Sequence, residues 1–181
     1  MGRFHDLYKK TYNLSEEKDR EYFDCVKDYY YTDEFQSLKS HIQHGSVSLI
    51  QHIKSVSYIS YRLSKRLGFD FYRTARGALL HDLFYYDWHD PDPSHRLHGY
   101  YHPGFALKNA RELSRKNNLE LTELEENIIY RHMFPLTVIP PKYKEAILVC
   151  LVDKYVATKE IIICSSGKRS TKFFSEVEGE K

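Results

Sequence analysis

An all-α fold is what this sequence predicts, and three observations carry the prediction. Apolar residues recur at three- and four-residue offsets along most of the chain, the pattern of helices with one inward face. Helix-starting and helix-ending residues bracket those stretches, Gly68, Pro103 and Pro135 among them. Strand-like patterning is confined to Ile161-Ile162-Ile163, whose length fits a strand or a helix end.

The elements follow in order. After a polar start, Ser15-Glu16-Glu17-Lys18 reads as a helix N-terminus, with Tyr22, Phe23, Val26, Tyr29 and Tyr30 at helical spacing behind it. A short helix is expected near 33–40. A long one over 45–67 places Leu49, His52, Val56, Ile59 and Leu63 on one stripe and is closed by Gly68. The next, over 70–84, ends in Ala78-Leu79-Leu80-His81-Asp82. Prolines and aspartates over 87–94 mark a loop. Pro103 reads as the first position of a helix over 103–117, because a missing backbone N–H does no harm there. Helices over 123–133 and 142–163 follow, and fraying is expected from 165 onward.

With 181 residues the chain suits one domain: an N-terminal helical segment over 1–44 packed on a core over 45–164, and a polar tail over 165–181. Its 27 lysines and arginines against 25 acidic residues leave a formal charge of +2, too balanced to predict a nucleic-acid polymer as partner. No stretch approaches the roughly 20 apolar residues of a membrane span, and the start Met1-Gly2-Arg3-Phe4 opens no signal region, so no membrane partner and a cytoplasmic location are expected. Cys25, Cys150 and Cys164 lack metal spacing, and reduced thiols are the simplest reading. Oligomeric state is not legible.

The functional signal lies in the histidines and aspartates. His52 falls on the inward stripe of its helix. Asp82 falls on the stripe of Ala75, Ala78 and Leu79, with His81 about a quarter turn away. His102 stands at a helix entrance, and His132 follows Ile128 and Ile129 on an inward face. Asp153 shares a face with Ala146, Val149, Cys150, Val156 and Ala157, where an unpartnered carboxylate would cost several kcal/mol. One inward histidine is more often a hydrogen-bonded core residue than a ligand. Six such residues on separate helices point instead to a metal site, because imidazole and carboxylate are the usual nitrogen and oxygen ligands of divalent ions.

In this order His52, His81-Asp82 and Asp153 resemble the HD-domain metal-dependent phosphohydrolases, whose pattern is a histidine, a His-Asp doublet and a late aspartate on successive helices. His102 and His132 are similar to the additional pair of the six-ligand variant that holds two metals. The resemblance spans about 45–160 and implies a helical HD-domain bundle. It implies two divalent ions, with Mn, Fe, Mg, Zn, Ni and Co undistinguished, and hydrolysis of a phosphate ester or phosphoanhydride of a small, nucleotide-like substrate by metal-activated water. Asp82 and Asp153 would bridge the ions or contact that water. No Gly-Tyr-Pro follows His132, which removes cyclic dinucleotides as a default substrate. Tyr85 stands where many nucleotide-cleaving relatives carry an acidic residue, which leaves the general acid unassigned.

Cations near paired metals would suit a phosphoryl group. Arg131 beside His132 and Lys154 beside Asp153 are the catalytic candidates. Arg96, His98, Trp88 and Tyr85, around the 87–101 loop, are the substrate-binding ones. A charged residue next to a helical ligand points about 100° away from it and is often merely solvated. Two other functions fit the same six residues: a di-iron oxygenase of HD type and a non-catalytic metal-binding signalling module.

Overall fold

The structure, a computed structural model, describes residues 2–44, 47–85 and 98–178. The described chain is helical: α1 (Gly2–Lys10), α2 (Arg20–Tyr30), α3 (Asp33–Gln36), α4 (Leu49–Leu67), α5 (Phe71–Leu80), α6 (His98–Lys116), α7 (Glu123–Arg131), α8 (Lys144–Cys164) and α9 (Gly167–Glu178), with 3-10 turns at Thr11–Asn13 and Ser37–Ser40. Strands β1 (Ile42–His44) and β2 (Val47–Ser48) pair antiparallel, Ile42 opposite Ser48 and His44 opposite Val47.

Local chemistry sets the helix ends. Ser48 caps α4, its hydroxyl accepting the Gln51 N–H at 3.3 Å, so the helix begins at Leu49, and Val47 and Ser48, expected within it, form β2. Gly68 closes α4 at φ 68°, a left-handed conformation that costs glycine little. Asp70 caps α5 through the Arg73 N–H at 2.9 Å. Thr122 and Glu125 form a reciprocal capping box on α7.

Helix α4 packs along α5 and α8, α5 along α7 and α2, and α7 along α6 and α8. A Cβ on Gly77 would stand 2.9 Å from Ile128 Cδ1 and 3.3 Å from Glu125 Cα, so the missing side chain lets α5 and α7 approach. One apolar cluster joins Tyr22, Val26, Tyr29, Leu79 and Leu83. A second joins Tyr8, Val56, Val149, Val156, Phe173 and Val177, and so ties the two ends of the chain to α4 and α8.

Several expectations are corrected. Helix α6 starts at His98, not at Pro103; the proline lies inside and removes only the N–H that would have met the Gly99 carbonyl. Residues 167–178, expected to fray, form α9, which buries Phe173 and Val177 and whose Val177 carbonyl accepts Asn13 Nδ2 at 2.9 Å. The isoleucine run is the last turn of α8. Helix α1, formed by the polar start, was unexpected. Cys25, Cys150 and Cys164 are free thiols. Among the described residues no helix is long and apolar enough to cross a membrane.

Candidate metal centre

Five helices deliver six buried side chains to one point. His52 comes from α4, His81 and Asp82 from the residues after α5, His102 from the second turn of α6, His132 from the residue after α7, and Asp153 from the middle of α8; none is more than 7% exposed. They form two groups whose donor atoms each lie within 4.8 Å of one another, His52 with His81 and Asp153, and Asp82 with His102 and His132.

Asp82 connects the groups. Its Oδ1 lies 3.1 Å from His102 Nε2 and 3.4 Å from His132 Nε2, while its Oδ2 lies 3.5 Å from His81 Nε2 and 3.7 Å from His52 Nε2. Asp153 Oδ1 faces His52 Nε2 at 3.2 Å and His81 Nε2 at 3.7 Å. Of Asp82 and Asp153, read from the sequence as suited to bridging the ions or contacting their water, it is Asp82 that turns one oxygen toward each histidine pair.

The protonation pattern of the rings tests whether a cation fits. His81 Nδ1 lies 2.7 Å from the Ala78 carbonyl and His132 Nδ1 2.8 Å from the Ile129 carbonyl. A carbonyl only accepts, so each Nδ1 carries the proton and each neutral ring turns a bare Nε2 lone pair inward. His52 Nδ1 likewise donates to Glu160 Oε2 at 2.8 Å. Bare nitrogens and carboxylate oxygens thus converge at 3.2–3.7 Å, an arrangement that repels itself unless a cation or extra protons lie between. Divalent ions fit this donor set.

The ionisation shifts have the same cause. Burial opposes charge on His52, but Glu160 and Asp153 hold its pKa well above the usual value. Burial likewise opposes charge on His81, and Asp82 and Asp153 raise it. For His132 burial prevails and the pKa falls. Burial would raise Asp82 and Asp153; instead His81, His102 and His132 lower the first, and His52 and His81 lower the second.

The centre opens into a cavity of about 580 Å³, walled by Gln43, Met133, Pro135, Leu136, Lys154 and Ala157. Lys154 Nζ is held by the His132 carbonyl at 2.9 Å, Cys150 Sγ at 3.2 Å and the Cys150 carbonyl at 3.4 Å. Arg131 is not brought to the cavity: its guanidinium lies 4.5 Å from the Tyr130 ring and borders a separate hollow with Arg111 and Glu126. Tyr85 is 41% exposed and does not line the cavity. Trp88, Arg96 and most of the 87–101 loop lie outside the described residues, as does the His98 side chain.

Two contributors escaped the sequence reading. Gln43, carried in by β1, donates from Nε2 to Asp82 Oδ2 at 3.3 Å. Glu160 sits two turns beyond Asp153 on α8, and the spacing Ala146, Val149, Asp153, Val156, Glu160, Ile163 would have placed it on the inward stripe.

A family model described as HD domain matches residues 49–158, a segment that contains all six residues of the two groups. No curated protein and no solved structure matches the chain. Because that segment spans more than half of the sequence, and its histidines and aspartates meet where a divalent ion fits, the chain belongs to the HD domain family.

Proposed function

We propose that this protein is a metal-dependent phosphohydrolase that cleaves a phosphate ester or phosphoanhydride of a small, nucleotide-like molecule, with two divalent ions in the cluster. The observation that carries the reading is Asp82, whose two carboxylate oxygens face different histidine pairs at the floor of an open cavity. His52, His81 and Asp153 would hold one ion, His102 and His132 the other, and Asp82 both. Bound there, the ions would lower the pKa of a water and polarise a phosphoryl oxygen.

The chain's own groups orient this centre. The Ala78 and Ile129 carbonyls fix the tautomers of His81 and His132, and the Gln43 amide steadies Asp82 from the ribbon side. With three protein acceptors around its ammonium, Lys154 acts toward an anionic substrate through its charge at the cavity wall. Met133, Pro135 and Leu136 offer apolar contact to the remainder of the molecule.

The test is a panel of phosphomonoesters, phosphodiesters and nucleotides assayed with each of the six candidate metals, with oxygen uptake followed in parallel. Phosphate release that requires both metal and Asp82 supports the proposal. Oxygen uptake without hydrolysis would replace it with the di-iron chemistry.

A further inference from the structure

We propose that Glu160 is a positioning residue for His52, fixing that ring in the form that offers a bare Nε2 to a metal and thereby setting the affinity of the ion shared with His81 and Asp153. The inference rests on the reading of His52 as a metal ligand.

Glu160 Oε2 lies 2.8 Å from His52 Nδ1, and both residues are fully buried. An ionised carboxylate has no hydrogen to donate, so the ring proton is held on Nδ1 and Nε2 is directed to Asp153 Oδ1, 3.2 Å away. The other two inward rings with fixed tautomers, His81 and His132, donate Nδ1 to neutral backbone carbonyls. A charged acceptor on His52 raises the basicity of its Nε2 beyond what a carbonyl achieves.

The surroundings of Glu160 strengthen its effect. Glu160 and Asp153 share one face of α8, so a single rigid helix sets the distance between the metal-facing carboxylate and the ring-orienting one. Tyr8 of α1, Val156 of α8 and Phe173 of α9 belong to the apolar cluster joining these helices, and Tyr8 is near enough for the Glu160 charge to act on it. Among the described residues Glu160 Oε1 has no hydrogen-bond partner. A carboxylate buried among apolar groups with one hydrogen bond is costly, and the cationic centre on the far side of His52 is what offsets that cost.

A purely structural Glu160, clamping α4 to α8, would affect both ions alike. The experiment therefore places Glu160→Gln in two backgrounds, His132→Ala, which keeps the His52 group, and Asp153→Ala, which keeps the His102 group and leaves the Glu160–His52 contact in place. Metal-stripped proteins are titrated with Co(II) and with Zn(II) against a competing chelator, and folding is followed by thermal melting. The amide can donate to Nδ1 and let the proton move to Nε2. The expected result is a ten- to hundredfold loss of affinity and an altered Co(II) absorption spectrum in the His132→Ala background, on the order seen when an orienting partner is removed, with no change in the Asp153→Ala background. Equal losses in both backgrounds, or none in either, overturn the proposal. If Glu160→Gln does not fold, Glu160→Asp keeps the charge and should give a smaller loss confined to the same background; loss in both or neither again overturns it. Failure of the unsubstituted protein to bind Co(II) or Zn(II) would instead overturn the metal reading itself.

Discussion

His102 and His132 meet Nε2 to Nε2 at 2.8 Å, with Asp82 Oδ1 within 3.4 Å of both. Since His132 donates its Nδ1 proton to Ile129, the gap between the two rings must hold a proton or a cation. His132→Ala should therefore lower the metal content of the reconstituted protein from two ions per chain to one. Elemental analysis after dialysis decides it, and an unchanged content would remove this pair from the site.

Asp82→Asn should lose both ions and reduce turnover to background while the fold persists. The amide matches the carboxylate in shape but brings no charge and is a poor ligand for either histidine pair. Circular dichroism checks the fold, and phosphate release from the best substrate checks the chemistry. Asp153→Asn should lose mainly the ion of the His52 group.

Stripping the ions should reverse the pH dependence of stability. Without metal, carboxylates raise the pKa of His52 and His81 despite burial. A raised folded value contributes stability that is fully present below the unfolded value of about 6.5 and is lost as the pH climbs through the raised ones. Metal binding needs the same rings unprotonated and strengthens with pH. The Tm of loaded protein minus that of stripped protein should thus widen upward from about pH 6.5. Parallel Tm profiles would contradict it. Asp82 and Asp153, both depressed, contribute stability that is lost only as pH falls well below this window.

Arg76→Ala should destabilise the fold by about 1.5–3 kcal/mol, because it removes one of the two cations beside the buried carboxylate of Glu125, 2.8 Å from Arg76 Nε, leaving Arg73 and the Thr122 cap, and also removes contacts to Tyr29, Tyr72 and the Glu120 carbonyl. Urea unfolding measures the loss. Metal affinity should change little, since Arg76 contacts none of the six clustered residues.

The helical core of the molecule was legible because burial on one face leaves a 3.6-residue period, and His52, Asp82, His132 and Asp153 could be read from that period, whereas His81 fell a quarter turn off its stripe and His102 was placed only at a helix entrance. Glu160 was hidden by its neighbours: α8 also exposes Ile147, Leu151, Ile161 and Ile162, so apolar residues ring the helix and obscure which face is inward. Gln43 was hidden because a two-stranded ribbon this short leaves almost no alternation, and its burial depends on α4 and α8 packing beside it. The length of α6 was misjudged because a proline inside a helix removes one hydrogen bond without forbidding a preceding turn.

The matched segment runs from 49 to 158, yet Gln43 and Glu160, which touch Asp82 and His52, lie just outside it at either end. All six candidate ligands are thus encoded inside the boundary, and two of the side chains that touch them outside it. Evolution can alter the grip on each ion by editing the flanks while leaving the motif intact. A gene fragment trimmed to the motif would keep every candidate ligand and still lose the two side chains that hold His52 and Asp82 from outside.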